Sequence, residues 1–151
     1  MSETRYLEDF VVGETWESKP ISLTEEEMIT YAKANDPQPM HIDPERAKTG
    51  PFGSIIASGY QIAALSMRLF IQSGGYGATP VVGMGVDELR WLKPVKPNDI
   101  LIARRELVEI KRSDKRPDRG MLRTHVTVRN QNDEVVMSLY ALGQIPARTK
   151  G

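Results

Sequence analysis

The segment Gly59-Tyr-Gln-Ile-Ala-Ala-Leu-Ser-Met-Arg-Leu-Phe-Ile-Gln72 constrains the fold more than any other stretch of the chain. Only Gln61, Ser66, Arg68 and Gln72 interrupt its apolar run, so the spacing predicts a helix that is apolar over most of its circumference. Such a helix is normally wrapped by the rest of its domain. Ser58 is the expected N-cap, and Gly74-Gly75 the expected end. From Pro80 onward the period changes. Val81–Leu92, Ile100–Arg112, Gly120–Asn130 and Val135–Ile145 read as strands, and Val126 and Val128 alternate with Thr127 and Arg129 at the period of two. Asn130 to Asp133 suits a tight turn, and Lys111 to Arg119 a long charged hairpin loop. An earlier strand is expected over Thr15–Leu23. One early strand, a buried central helix and an antiparallel run of strands imply an α+β domain with its sheet curled around one helix. The 151 residues suit one domain, taken as 1–151.

Between the first strand and the long helix, Thr24-Glu-Glu-Glu27 has the form of a capping box. Met28, Ile29, Tyr31 and Ala32 follow at helical spacing. That helix should stop near Asn35, because Pro37 disfavours a helical Asp36. Two prolines make Asp36-Pro-Gln-Pro-Met-His41 a stiff loop without regular structure. Asp43 and Pro44 open another short helix, as cap and first helical residue, and Gly50 to Gly53 form a turn.

The charge balance narrows the partners. Twenty basic and twenty acidic residues cancel, with a sequence pI near 6.7. This argues against nucleic acid and against an anionic membrane, both of which call for a basic surface. The absence of cysteine excludes disulfides, thiolate metal sites and a cysteine nucleophile. The polar, acid-bearing start of the chain lacks the pattern of a signal peptide, and no apolar run reaches the roughly 18 residues of a membrane span. A cytoplasmic protein is the expectation.

Three segments carry candidate chemistry. Asp36 and His41 sit on the proline-stiffened loop, where a carboxylate and an imidazole could contact one water, and rigidity preserves the benefit of such a pair. Histidine suits proton transfer near neutral pH. The plainer reading is an Asp that begins a turn and a structural His. Ser58-Gly59 is the second segment. Backbone N–H groups at a helix start lack helical partners and favour negative charge, the setting of an oxyanion hole, but a plain cap has the same sequence. The third, Arg90-Trp-Leu-Lys-Pro-Val-Lys-Pro-Asn-Asp99, is a strand running into a proline-set turn.

Together these segments resemble the MaoC-like dehydratase and (R)-specific enoyl-CoA hydratase family. Asp36-Pro-Gln-Pro-Met-His41 looks like the family's hydratase motif, with Asn35 where Gly is usual and Gln38 where Asn is usual. Ile56-Ala-Ser-Gly-Tyr60 resembles the segment opening the central helix, with Ser58 where His is common. Arg90 to Asp99 resembles the strand-and-turn signature, with Asn98 in place of Gly. The resemblance runs from about Asp9 to Ile145. It implies a hotdog fold and an acyl-CoA thioester substrate with a 2,3 double bond. It implies that Asp36 and His41 activate one water that adds at C3, and that the Gly59 N–H, with Ser58 beside it, receives the thioester oxygen. No metal and no cofactor is implied, coenzyme A being part of the substrate. A homodimer at least is expected, since an open sheet leaves edges to cover.

Two other functions compete: a hotdog thioesterase and a non-catalytic acyl-CoA-binding module. The Asp36–His41 arrangement favours the hydratase over both. His125 is expected to be structural or solvent-facing. Lys111, Arg112, Lys115, Arg116 and Arg119 are expected to form a solvated hairpin rather than a phosphate clamp, with Arg90 and Lys93 as other candidates for that clamp. Arg68 is expected at a subunit boundary, and Met84, Met121 and Met137 in packing.

Overall fold

In the computed structural model, which describes residues 3–148, the capping box works as its sequence predicts. Thr24 accepts from the Glu27 amide, Glu27 accepts from the Thr24 amide, and helix α1 runs Glu25–Asn35. Two short helices follow, α2 at Pro39–Ile42 and α3 at Pro44–Lys48, the latter capped by Asp43. Helix α4 spans Gly59–Gln72. The five strands are β1 (Thr15–Glu17), β2 (Val82–Trp91), β3 (Ile102–Arg112), β4 (Arg119–Arg129) and β5 (Val135–Pro146). They form one antiparallel sheet in the order β1-β3-β4-β5-β2, with β1 and β2 at the edges.

The first strand is shorter than its expected Thr15–Leu23. Pro20 has no N–H to donate to a ladder, and beyond Glu17 the pairing continues only through Ser18, whose side chain accepts from the Ala103 amide, and through a bridge from Ile21 to Leu101. Asn98, in the turn before β3, adopts φ 68°. That left-handed conformation favours glycine first and asparagine next, which is why an amide side chain can stand at a position where glycine is usual.

Helix α4 lies against the sheet with Gln61, Ile62, Leu65, Ser66 and Phe70 buried; Ile62 and Leu65 join Val126, Val128, Met137 and Leu139 in one core cluster, and Phe70 meets Trp16 and Tyr76 edge-on. A second cluster at the other end joins Leu7, Phe10, Leu107, Leu122 and Ile145. The sheet curls around one side of the helix, as expected, and leaves part of its apolar circumference bare. Tyr60, Met67 and Ile71 are 59%, 48% and 60% exposed. A single five-stranded sheet can cover only one side of a helix. The neighbouring edge strand is equally bare: Val82, Met84 and Val86 are exposed, so Met84 is not the packing residue expected, whereas Met137 is fully buried. Among the described residues, no helix is long and apolar enough to cross a membrane.

Candidate active site at the start of helix α4

Asp36 and His41 meet, but by a different local structure from the one the prolines suggested. Asp36 terminates α1, its amide donating to Ala32 O at 2.7 Å, and Pro37 ends the helix there. Pro39 does not prevent regular structure. It opens the single turn of α2, because the first helical residue needs no amide donor. That turn carries His41 inward, leaving its side chain 5% exposed. The segment is therefore a helix end joined to a helical turn, and not a loop throughout.

His41 Nδ1 lies 2.7 Å from the Ile56 carbonyl oxygen. A carbonyl only accepts, so Nδ1 carries the hydrogen, and in the neutral imidazole Nε2 is left with its lone pair free. That Nε2 faces Asp36 Oδ2 at 3.3 Å. Asp36 is held from both sides: Ser58 Oγ donates to Oδ2 and Gln38 Nε2 donates to Oδ1, each at 2.8 Å. The Gln38 and Ser58 hydrogen bonds hold the carboxyl below its ordinary range against the opposing effect of burial, with His41 adding a smaller electrostatic contribution. Asp36 is thus an anion at neutral pH. Two acceptors 3.3 Å apart repel unless a hydrogen lies between or beside them. A water can donate one hydrogen to each, or a proton on Nε2 can bond the carboxylate directly.

Ser58 has a different task from the expected one. It occupies the N-cap position of α4 but makes no capping hydrogen bond. Its hydroxyl is committed to Asp36, and the residue is fully buried. The Gly59 N–H has no acceptor among the described residues. Gly59 is required for a reason that local sequence does not reveal: a Cβ there would overlap the indole of Trp91. Trp91 lies across the helix start and meets Tyr60 edge-on, with ring centroids 4.9 Å apart.

Asp36, His41 and Gly59 line one cavity of about 370 Å³, walled by Met40, Phe52, Ile62, Trp91 and Val136 among others. The polar groups converge at the α4 start, where the helix dipole favours an anion. Lys93 lines the cavity too and is paired with Glu134 at 2.7 Å. Arg90 and the 111–119 hairpin do not line it. Arg112 pairs instead with Glu8, and Arg119 with Asp118. His125 is partly buried, stacked on Tyr140 with centroids 4.7 Å apart. Among the described residues, no three His, Asp or Glu side chains are grouped so as to hold a metal ion.

A five-stranded antiparallel sheet packed on one long helix defines a hotdog-fold protein, here with a carboxylate–imidazole pair at the helix start. The chain belongs to the MaoC-like dehydratase family, whose MaoC like domain matches residues 9–130. The crystal structure of a MaoC-like dehydratase from Rhodospirillum rubrum superposes with a TM-score of 0.87 at 34% identity, over 97% of this chain and 99% of that one. Uncharacterized protein YdeM of Bacillus subtilis is 33% identical over 127 residues, 84% of this chain and 89% of its own length. The 3-hydroxyacyl-thioester dehydratase Z of Mycobacterium tuberculosis is 36% identical over 92 residues. That match takes in 60% of this chain and 61% of the relative, less than two thirds of its length.

Proposed function

We propose that the protein is a hydro-lyase that interconverts a 2,3-enoyl thioester of coenzyme A and the corresponding 3-hydroxyacyl thioester. The observation that carries this reading is the free Nε2 lone pair of His41 facing an ionised Asp36 at 3.3 Å inside a mostly apolar cavity. The name of the mycobacterial relative, a 3-hydroxyacyl-thioester dehydratase, supports the same chemistry.

The two groups divide the work by basicity. Asp36, held low by two donors, is the weaker base and orients the water by accepting one of its hydrogens. His41 Nε2 accepts the other as the water oxygen bonds to C3. The C2–C3 π electrons move toward C2 and the thioester carbonyl, giving an enolate whose oxygen lies at the Gly59 N–H. The imidazolium, stabilised by Asp36, then returns its proton to C2. Water's O–H bond has broken, C3–O and C2–H bonds have formed, and His41 is neutral again. Both new bonds arise on the face of the double bond that meets the pair, so addition is syn. Dehydration is the same path reversed.

The protein works as a homodimer in this reading. Tyr60, Met67 and Ile71 on α4 and Val82, Met84 and Val86 on the edge strand β2 expose more apolar surface than a monomer favours, and β2 is free to pair with a second copy.

The test is turnover of enoyl-CoA substrates of varied length and branching, followed by enoyl absorbance and free thiol together. Loss of absorbance without thiol is expected. Thiol release would assign the site to hydrolysis instead. Asp36→Asn and His41→Ala should each lower kcat by roughly 10²–10⁴. Their combination should cost far less than the product of the two, since each acts on the same water. A double variant whose loss equals that product refutes the shared water.

A further inference from the structure

The reaction proposed above leaves its enolate oxygen with one neutral donor, the Gly59 N–H. Sites that hold such charge gather several donors, and losing one typically costs about 10²–10³ in kcat. Most polar side chains of the site are already committed. Ser58 and Gln38 donate to Asp36, His41 Nδ1 donates to the Ile56 carbonyl, and Lys93 pairs with Glu134. Tyr60 is 59% exposed. Trp91 lines the same cavity, and its indole Nε1–H donates to no acceptor among the described residues.

The indole stands where a second donor is needed. A Cβ built on Gly59 would fall on its pyrrole ring, 2.5 Å from Nε1. By standard backbone geometry an amide nitrogen lies about 2.5 Å from its own Cβ position, so Nε1 and the Gly59 nitrogen are at most about 5 Å apart. Two N–H donors sharing one oxygen at about 2.9 Å each can stand up to roughly 5.8 Å apart. One thioester oxygen can therefore accept from both. The ring is held from two directions: the Trp91 backbone pairs with Met137 in the sheet, and the indole meets Tyr60 edge-on. The absence of a side chain at Gly59 lets the indole come this close, so the glycine and the tryptophan form one arrangement. An indole nitrogen donates and does not accept. It can hold an enolate oxygen without competing for the proton that His41 returns to C2.

We propose that Trp91 is a catalytic residue of this site, its indole N–H joining the Gly59 N–H as the second donor to the thioester oxygen. The inference rests on the hydro-lyase reading for the thioester it names. Charge on that oxygen grows as water adds at C3, so the bond is stronger in the transition state than in the bound thioester.

Two probes isolate the bond: butyryl-CoA, which has no double bond to hydrate, and S-butyl-CoA, which lacks the carbonyl. The chain has two tryptophans, and the indole N–H signal of Trp91 is the one missing from Trp91→Phe protein. In the proton–nitrogen NMR spectrum of the wild-type protein, butyryl-CoA should move that signal downfield, saturably, and S-butyl-CoA should not. Trp91→Phe keeps an aromatic ring over Gly59 and should lower kcat for crotonyl-CoA about 10²-fold, with KM little changed. Benzothienylalanine incorporated in place of Trp91 keeps the fused-ring shape with sulfur instead of the N–H, and should lose as much. The proposal is overturned if both probes shift the signal alike, or if neither shifts it while calorimetry shows butyryl-CoA bound. It is also overturned if the benzothienylalanine protein turns over like its parent, or if the loss lies in KM alone. Butyryl-CoA that fails to bind overturns this proposal and the hydro-lyase reading together. Thiol release from butyryl-CoA alongside a carbonyl-dependent shift overturns the hydro-lyase reading and supports the Trp91 bond.

Discussion

Replacing Ser58 by alanine separates a site residue from a helix cap. The substitution removes the hydroxyl that donates to Asp36 Oδ2 at 2.8 Å, in a position with no solvent exposure. A hydrogen bond to a charged group contributes about 1.5–3 kcal/mol. At 1.36 kcal/mol per factor of ten, its loss from the transition state lowers kcat by roughly ten- to a hundredfold, the Gln38 bond remaining. The pH dependence moves with it. Ser58 is one of two donors that hold Asp36 low, so Asp36 becomes more basic without it. Asp36 then takes up a proton at higher pH, and an acid limb of the kcat/KM profile that requires the Asp36 anion shifts upward with it. Stability follows the same sign. A carboxyl depressed in the folded state stabilises the fold above its ordinary pKa of 3.8, and this stabilisation is lost as pH falls through the depressed value. Ser58→Ala should therefore narrow that advantage and move acid unfolding to higher pH. Thr24→Ala is the control. It removes a working cap from α1, costing about 1 kcal/mol of stability, with no change in the pH profile. Steady-state kinetics across pH and thermal melts of both variants decide the matter. If Ser58→Ala matches Thr24→Ala, with a lower Tm, unchanged kcat and an unmoved acid limb, the Ser58 hydroxyl plays no part at the site.

Three further outcomes follow from the geometry. Gly59→Ala pushes a methyl group into the Trp91 indole and should lose turnover; in a Trp91→Ala background, where the methyl has room, it should still lower kcat if substrate closely approaches this backbone, and equal rates for Trp91→Ala and the double variant would show that Trp91 alone requires the glycine. Ile71→Glu together with Met84→Glu should convert a dimer to the 16.9 kDa monomer in light scattering, and a wild-type protein already monomeric at micromolar concentration would remove the dimer from the proposal. Asn98→Ala, at φ 68°, should lower stability by about 1 kcal/mol in a denaturant melt, whereas Asn98→Gly should cost little; equal losses would refute the conformational explanation.

Much of this molecule follows from short-range chemistry that its sequence determines by itself. The Thr24–Glu27 box starts α1, Pro37 ends it, Asp43 and Pro44 start α3, and α4 occupies the expected Gly59–Gln72. The strand spans differ from expectation by a residue or two, except β1, which Pro20 cuts short. These features depend on neighbours within one turn or one hairpin. Asp36 and His41 were legible for the same reason, being five residues apart. What the tertiary structure alone decided lies across longer separations. Ser58 reaches Asp36 across 22 residues, Trp91 covers Gly59 from another element, and the Ile56 carbonyl sets which nitrogen of His41 is free. Nothing in local spacing distinguishes a serine that caps a helix from one that serves a distant carboxylate. Nor does the apolar pattern of α4 specify which of its faces the sheet covers, because hydrophobicity demands burial without naming what does the burying. Arg105 makes the point most sharply: in sequence it is the middle of three charged residues, Arg104-Arg105-Glu106, and only the folded sheet shows that it shares the buried face with Ala103 and Leu107, against Phe70.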